Sequence, residues 1–264
     1  MDNLSINHGA LKGKLALVTG ASRLKGIGAA ICRELALRGA DVFFTYWTNY
    51  DNCLSVGVKS DEPYSLIEEL RGLGVRAESM ELDFSDINSY SKLLNRVKET
   101  LGYPDILVNN ACYSVNDNFE NITAESLDAH YNVNIRANTL LSAEFAKGFN
   151  KGSGGRIINL TSGQSQGPMP DELSYAITKG AIETITYTLS DAVATKGITV
   201  NAVNPGPTDS GWITEELEKE IIKAFPFGRI GKPEDAARLI AFLASDEAQW
   251  ITGQVIHSEG GFKR

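Results

Sequence analysis

The chain has 264 residues, of which 42% are hydrophobic and 22% are charged, and its 33 acidic and 25 basic side chains give a formal net charge of −8. This length suffices for one domain whose core needs neither disulfides nor a structural metal. The acidic charge, with no block of Lys or Arg, disfavours nucleic acids and anionic membrane surfaces as partners.

Short apolar runs alternate with longer amphipathic stretches along the chain, which is typical of parallel strands joined by crossover helices. The predicted strands cover residues 15–19, 42–45, 75–80, 106–108, 156–160, 198–203 and 254–256. The predicted helices cover residues 27–38, 64–71, 90–101, 124–150, 173–196, 215–224 and 233–245. Because the strands are almost continuously hydrophobic, helices should cover both faces of the sheet. The sequence therefore predicts an α/β fold: a single doubly wound Rossmann-type domain with a parallel sheet of about seven strands.

No internal repeat or linker divides the chain, so residues 1–264 are predicted to form one domain. Two long loops, 48–63 and 163–172, stand out between the predicted elements, and loops of this length are usually functional or mobile.

Targeting signals and disulfides are not indicated. No apolar run reaches the roughly 18 residues of a membrane span, and residues 1–5 lack the layout of a signal peptide. Cys32, Cys53 and Cys112 form no CxxC pair, which favours reduced thiols over a disulfide framework or a zinc site. His8, His130 and His257 are too far apart in sequence to suggest metal ligands. We therefore expect a soluble, cytoplasmic protein without a metal.

A glycine loop follows the first predicted strand. Gly20 ends the strand, and Gly26 and Gly28 open the next helix. A strand, a glycine loop and a helix N-terminus together present backbone N–H groups to a pyrophosphate. The spacing G-x5-G-x-G differs from the usual dinucleotide fingerprint, so an ordinary strand-to-helix turn is the alternative interpretation.

Three later residues are candidates for acid–base chemistry. Tyr175 and Lys179 are four residues apart on a predicted helix, so they share one face, and Ser162 ends a buried strand. A nearby ammonium group favours the phenolate and would lower the pKa of Tyr175 from about 10. The alternative is that Tyr175 and Lys179 are merely neighbours on the surface.

Together these residues resemble the short-chain dehydrogenase/reductase family from Lys14 to about Gly261. The matching positions are Thr19, Gly20, Gly26, Gly28, Asn109, Asn110, Ala111, Asn134, Ser162, Tyr175, Lys179, Pro205 and Gly206. Twelve residues separate Ser162 from Tyr175, which is also the family's spacing. The resemblance is greatest to the 3-oxoacyl-acyl-carrier-protein reductase subgroup.

The resemblance implies a role for each catalytic position. Tyr175 would give a proton to a substrate carbonyl during reduction, or take one from an alcohol in reverse. Lys179 would lower the pKa of Tyr175 and bind the nicotinamide ribose. Ser162 would hydrogen-bond the substrate oxygen, and Asn134 would hold a water that links Lys179 to solvent.

The resemblance also implies a nicotinamide cofactor. Its binding residues would be Gly20, Ser22, Arg23, Lys25, Gly26, Ile27, Tyr46, Asp83, Phe84, Asn110, Ala111, Tyr175, Lys179, Pro205, Gly206 and Thr208. An acidic residue after the second strand would repel the 2′-phosphate of NADP, but Tyr46 and Trp47 stand there, and Arg23 and Lys25 add two cations. NADP(H) is therefore favoured over NAD(H), with solvated loop cations as the alternative.

Several positions depart from the family pattern. The glycine loop is two residues longer than usual, as in enoyl-acyl-carrier-protein reductases, but those enzymes place six residues between Tyr and Lys. With that spacing the tyrosine would stand at position 172, where this chain has Glu172. The absence of a tyrosine there favours carbonyl reduction. Cys112 replaces a customary glycine. At the positions where the carrier-protein reductases use basic docking residues, this chain has Lys147 and Asp191, and the acid disfavours tight docking of an acidic carrier.

We therefore expect a small-molecule or acyl-thioester carbonyl substrate. The alternatives are small ketones outside fatty-acid synthesis, or a sensor that binds nucleotide without catalysis. A lid over the substrate is expected at about 207–230, and Trp212, Phe225 and Phe227 would line an apolar pocket or pack in the core. Met169 would face the substrate from the other side. The helices at 124–150 and 173–196 resemble those that pair between subunits, so a homo-oligomer, a dimer or tetramer, is expected.

Overall fold

One parallel sheet organises the chain, with the strand order β3-β2-β1-β4-β5-β6-β7. The computed structural model describes residues 9–53, 57, 59 and 61–264, and residues 51–53 by their backbone alone. The strands are β1 (Leu15–Val18), β2 (Asp41–Tyr46), β3 (Ala77–Glu81), β4 (Ile106–Asn109), β5 (Gly155–Leu160), β6 (Ile198–Asn204) and β7 (Val255–His257). The predicted parallel α/β sheet is thereby confirmed, with strand ends shifted by one or two residues.

Helices connect the strands. They are α1 (Ile27–Leu37), α2 (Thr48–Cys53), α3 (Glu62–Gly72), α4 (Ser89–Thr100), α5 (Ala124–His130), α6 (Asn138–Gly148), α7 (Leu173–Val193), α8 (Glu215–Ile221) and α9 (Pro233–Ala244). Short 3-10 turns follow α7, α8 and α9, and a π-helix, Tyr131–Ala137, joins α5 to α6. None of the helices in these ranges is long and apolar enough to cross a membrane.

Alternate residues of the central strands enter two separate cores. Val18, Val108 and Ile158 pack on one side of the sheet with α1 and α9 residues, whereas Leu17 and Leu107 pack on the other with α4 and α6 residues. Successive side chains of a strand point to opposite faces, so a strand that is apolar at every position requires a layer of helices on each face. The central strands are hydrophobic at almost every position because each face of the sheet packs against its own core.

Two predicted segments differ from the structure. The segment 124–150, predicted as one helix, is divided by the π-helix, and part of the predicted loop 48–63 is helical as α2. Residues 54–56, 58 and 60 of that loop lie outside the described residues. The polar sequence of α2 contains no hydrophobic period that could have indicated a helix.

Candidate active site

The strand order reverses at the centre of the sheet. β1 lies between β2 and β4, so the connections leaving β1 and β4 run in opposite directions and open a crevice at the carboxyl ends of the strands. A cleft of about 1330 Å³ lies there, lined by residues that follow β1, β2, β4, β5 and β6. Most residues predicted as functional line this cleft.

The glycine loop forms one end of the cleft. Gly20 has a φ of +75°, and a Cβ there would lie 2.7 Å from the Cα of Ala111, so a side chain would be both strained and crowded. Helix α1 begins at the extended Gly26, without a side-chain cap or an acidic residue in its first turn. Gly20, Ser22, Arg23, Gly26 and Ile27 line the cleft, whereas Lys25 is exposed outside the lining. An uncapped helix end beside closely approaching backbone fits a pyrophosphate.

Asn110 and Thr19 hold the glycine loop to the end of β4. The amide Nδ2 of Asn110 donates to the carbonyls of Thr19 at 2.9 Å and Gly20 at 2.7 Å. The hydroxyl of Thr19 accepts the backbone N–H groups of Asn110 and Ala111, both at 3.0 Å. Asn110 and Ala111 also line the cleft. Asn110 thus shapes the loop as well as the cleft wall, and the buried Thr19 was missed as a supporting residue.

The second strand ends beside the glycine loop. Tyr46, Asp83 and Phe84 line this part of the cleft, and the hydroxyl of Ser22 accepts the backbone N–H of Trp47 at 3.1 Å. Arg23 reaches across the cleft, where its Nη1 donates to the carbonyl of Ser210 at 3.0 Å. The glycine loop is therefore linked to the segment that follows β6.

Helix α2 contributes an aromatic residue that sequence analysis did not identify. Tyr50 lies 5.4 Å from Tyr113 between ring centres, and its hydroxyl accepts the backbone N–H of Ser114 at 2.9 Å. Both tyrosines line the cleft. The polar α2 is thereby held against the segment that follows β4.

Ser162 and Tyr175 come together in the cleft. The Ser162 hydroxyl lies near enough to the Tyr175 phenol to influence its pKa, and both residues line the cleft. Burial raises the pKa of Tyr175 well above 10, the charge of Cys112 acts in the same direction, and the Ser162 hydroxyl opposes them. The phenol of the protein alone therefore keeps its proton at neutral pH.

Lys179 lies behind Tyr175. Its buried ammonium is 5.4 Å from the centre of the Tyr175 ring and donates to the carbonyl of Leu160 at 2.8 Å. The expected lowering of the Tyr175 pKa by Lys179 is not found in the protein alone, where burial raises that pKa and this ammonium is not among the groups that shift it. The predicted proximity of the two side chains is present.

Asn134 occupies the middle of the π-helix. Its Oδ1 accepts the backbone N–H of Tyr113 at 2.8 Å, and its Nδ2 donates to the Tyr113 carbonyl at 2.9 Å and to the Thr178 hydroxyl at 3.0 Å. The side chain thus fixes Tyr113 and α7 in place, and it makes no direct bond to Lys179. π-Helical turns are frequent at functional sites, and this one places a buried amide behind the cleft.

The end of β6 completes the cleft with residues from two distant segments. Pro205, Gly206 and Thr208 line it, as does Arg264. Arg264 binds Glu259 through two hydrogen bonds of 3.1 and 2.8 Å, and a Cβ on Gly163 would lie 1.7 Å from its Nη2. Because Gly163 has no side chain, the guanidinium of Arg264 can lie next to it, close to Ser162. No motif in the sequence indicated Glu259 or Arg264.

The aromatic residues after β6 divide into three environments. Trp212 lines the cleft and donates from Nε1 to the carbonyl of Thr208 at 2.8 Å. Phe225 is buried, with its ring 4.9 Å from that of Phe262, and Phe227 is 78% exposed. Of the three, Trp212 alone is a wall of the cleft, and Met169 faces it from the loop after β5. The described residues include no group of His, Cys, Asp and Glu side chains that could hold a metal ion.

Asp117 caps α7, the helix that carries Tyr175 and Lys179. Its Oδ1 accepts the backbone N–H of Ser174 at 2.8 Å, and its Oδ2 accepts the hydroxyls of Ser174 at 2.5 Å and Ser126 at 2.7 Å. Burial acts to raise the pKa of Asp117, but these hydrogen bonds and the nearby His130 hold it below the usual range. The carboxylate therefore stabilises the folded protein in its ionised form.

We expect Asp117→Ala to lower the free energy of unfolding by about 2 kcal/mol at pH 7, because a helix cap, the buried Ser174 hydroxyl and the half-buried Ser126 hydroxyl lose their acceptor. The stabilisation is fully present above the unfolded pKa of about 3.9 and is lost as pH falls through the lower folded pKa. Urea unfolding at several pH values measures it. The exposed Asp128 on α5 gives the control Asp128→Ala; an equal loss there, or a difference that persists below about pH 3, would contradict the assignment.

Comparisons with known proteins agree with this geometry. A family model described as Enoyl-(Acyl carrier protein) reductase matches residues 20–263. The chain is 53% identical over 253 residues to the uncharacterized oxidoreductase YjdA of Bacillus subtilis strain 168, covering 95% of this chain and 97% of that protein.

Two solved structures are similar along almost the whole chain. One is a blue fluorescent protein from a metagenomic library in complex with NADPH, with a TM-score of 0.86, 31% identity, and coverage of 97% of this chain and 100% of the other. The second is the angucycline C-6 ketoreductase LanV with bound NADP, with a TM-score of 0.85, 35% identity and coverage of 96% of each chain.

Proposed function

This chain belongs to the short-chain dehydrogenase/reductase family, and from that premise we propose that it interconverts carbonyl compounds and secondary alcohols with NADP(H). The observation that carries the proposal is that Ser162 and Tyr175, with Lys179 behind the phenol ring, share a cleft whose other end is a glycine loop. A nicotinamide cofactor supplies the hydride when bound.

The two polar side chains have complementary tasks. The Ser162 hydroxyl holds the substrate oxygen as negative charge develops on it, and the Tyr175 phenol gives that oxygen a proton. The raised pKa of Tyr175, which burial causes first and the charge of Cys112 second, keeps the proton on the phenol at neutral pH. Reduction requires this protonated form, and the raised pKa makes the phenol a weak acid in the protein alone. Lys179 lies behind the phenol as a cation that stabilises the phenolate after transfer.

The glycine loop and its surroundings would hold the cofactor. The uncapped N-terminus of α1 would hold the pyrophosphate, and Asp83 and Phe84, which line the cleft, would bind the adenosine part. The preference for NADP over NAD is supported by Tyr46 and Trp47 after β2, where an acidic residue would repel a 2′-phosphate, and by Arg23 in the cleft. Similar structures that contain NADPH or NADP support the same assignment.

We expect Arg23→Ala to weaken NADPH binding roughly 10-fold to 100-fold and NADH binding much less, because a hydrogen bond to a charged phosphate is lost. Fluorescence titration with both reduced cofactors measures this. Lys25→Ala should have the smaller effect, because Lys25 lies outside the cleft lining. Equal losses for both cofactors in Arg23→Ala would contradict the 2′-phosphate role.

Carbonyl groups are favoured over carbon–carbon double bonds as the site of reduction. The Tyr–Lys spacing of enoyl reductases would require a phenol at position 172, where this chain has Glu172. The cleft has apolar walls from Trp212, Met169 and Phe262, which suit a small ketone, an aldehyde or an acyl chain. The solved structure described as a ketoreductase is consistent with this substrate class.

An acyl-carrier-protein substrate remains the narrower form of the proposal. At the two expected docking positions, Lys147 is exposed but paired with Glu144 at 2.7 Å, and Asp191 is an exposed acid. An acidic carrier would find weak electrostatic attraction there. The substrate is therefore proposed to be a free carbonyl compound, with 3-oxoacyl thioesters as the second candidate.

A screen of NADPH oxidation tests the function. Ketones, aldehydes and acetoacetyl thioesters are offered to the purified protein, and turnover of simple carbonyls without thioesters would support the free-carbonyl form. Turnover of thioesters alone would support the second candidate. NADPH binding without turnover of any carbonyl would instead support a nucleotide-binding sensor.

We also propose that the protein forms a homo-oligomer in the cytoplasm. The helices after β4 and β5 expose apolar side chains on their outer faces, among them Leu127, Tyr131, Ile177 and Tyr187, as a subunit contact would require. Light scattering coupled to size-exclusion chromatography measures the mass; a monomer at micromolar concentration would contradict the oligomer.

A further inference from the structure

Glu172 lies beside the proposed proton donor. It immediately precedes α7, three residues before Tyr175, and both side chains line the cleft. The charge of Glu172 is among the influences on the Tyr175 pKa, after burial and Cys112. The carboxyl group is therefore placed where a substrate bound by Tyr175 would meet it.

The helix does not need this carboxyl group. Glu172 stands at the N-cap of α7, yet its side chain makes no capping hydrogen bond. Asp117 performs that task instead, with its backbone carbonyl accepting the N–H of Leu173 at 3.0 Å and its carboxylate accepting the N–H of Ser174 at 2.8 Å. The side chain of Glu172 is left available to the cleft.

The cations around the cleft are committed elsewhere. Arg264 binds Glu259, Arg23 donates to Ser210, and Lys179 donates to Leu160. Across residues 9–53, 57, 59 and 61–264, no hydrogen bond or ion pair to the Glu172 carboxyl group is present. Burial, and then the charge of Asp171, raise the pKa of Glu172, as expected for a half-buried carboxyl group without a donor.

We propose that Glu172 is a specificity-determining residue that accepts a hydrogen bond from a substrate hydroxyl on the carbon next to the carbonyl. The preferred substrates are then hydroxy ketones and hydroxy aldehydes. A hydroxyl suits this site better than a charged group. The guanidinium group of Arg264, which lies beside Gly163 in the same cleft, disfavours an ammonium, while Glu172 itself disfavours a carboxylate. This inference rests on the proposed carbonyl reduction.

The test compares ketones that differ in one hydroxyl group. The pairs are 2-butanone with 3-hydroxy-2-butanone, cyclohexanone with 2-hydroxycyclohexanone, and acetophenone with 2-hydroxy-1-phenylethanone. The measured quantity is the ratio of kcat/KM for the hydroxy ketone to that for its partner. We expect the unaltered protein to prefer the hydroxy ketone in at least one pair.

Glu172→Leu removes the acceptor and should lower that ratio roughly 10-fold to 100-fold, as for loss of a hydrogen bond to a charged group. Glu172→Gln keeps an amide oxygen and should retain part of the preference, and Glu247→Gln, at an exposed glutamate outside the cleft lining, should keep the ratio. A purely structural role for Glu172 would lower turnover of both ketones equally and leave the ratio unchanged.

The outcomes separate the inference from the function on which it rests. Turnover of the pairs without a hydroxyl preference, or an unchanged ratio in Glu172→Leu, overturns the role of Glu172 and leaves carbonyl reduction standing. No turnover with any ketone or aldehyde overturns the proposed function and the inference together.

Discussion

Tyr175→Phe is expected to lower kcat for carbonyl reduction by a factor of about 10² to 10⁴, with NADPH binding nearly intact. The substitution removes the phenol hydroxyl, which is the proton donor, and keeps the ring. The loss should therefore appear in turnover more than in binding.

The surroundings of Tyr175 make substitute proton donors poor. The neighbouring Ser162 has a hydroxyl that is a much weaker acid, and the Lys179 ammonium is 5.4 Å from the ring centre and donates to the carbonyl of Leu160. Steady-state NADPH oxidation and fluorescence titration of NADPH measure the two effects separately.

The same helix offers a matched control. Tyr187 on α7 is 75% exposed, so Tyr187→Phe makes the same chemical change away from the cleft and should keep turnover. Turnover by Tyr175→Phe within a factor of about three of the unaltered protein would remove Tyr175 from the mechanism, because removing a general acid costs far more.

Gly28→Ala is expected to destabilise the protein by about 1 to 3 kcal/mol and to abolish measurable NADPH binding. A Cβ at Gly28 would lie 2.3 Å from the carbonyl oxygen of Gly20, 2.8 Å from Nδ2 of Asn110 and 3.0 Å from the Cα of Ala21. Two of these atoms are backbone atoms, and the Gly20 oxygen is held by Asn110 at 2.7 Å. The loop must therefore shift, and with it the backbone that faces the pyrophosphate.

Gly72 supplies the control for this prediction. It ends α3, and a Cβ there would meet nothing within 4 Å. Gly72→Ala should leave NADPH binding intact and raise stability by about 0.5 to 1 kcal/mol, because alanine loses less backbone entropy in a helix. Urea unfolding and NADPH titration measure both variants. Normal NADPH affinity in Gly28→Ala would show that the glycine loop does not hold the cofactor.

The π-helix that divides the predicted helix 124–150 shows what a sequence pattern cannot predict. The hydrophobic period over 124–150 predicts continuous helix, and it cannot distinguish α-helical from π-helical turns. The π-helix is accompanied by bonds from the Asn134 side chain to Tyr113 and Thr178, which are 21 and 44 residues away. Such partners become neighbours only after the sheet has formed.

The electrostatics of the site show the same limit. The four-residue spacing correctly placed Lys179 next to Tyr175, because helical geometry alone determines it. The direction in which the Tyr175 pKa shifts was not predictable from that spacing. It depends first on burial and then on Cys112, which follows a different strand.

The sequence by itself determined the α/β class, the seven strands, the glycine loop and the spacing of Ser162, Tyr175 and Lys179. These features rest on local periodicity and on turn residues, which act over a few positions. Three contacts follow only from the tertiary structure. Arg264 lies beside Gly163, and Arg23 donates to Ser210. Asp117 caps α7, so the side chain of Glu172 is not needed as the cap. Contacts of this kind form where the carboxyl ends of separate strands meet at one edge of the sheet. They join residues far apart in the chain, so no local sequence pattern predicts them.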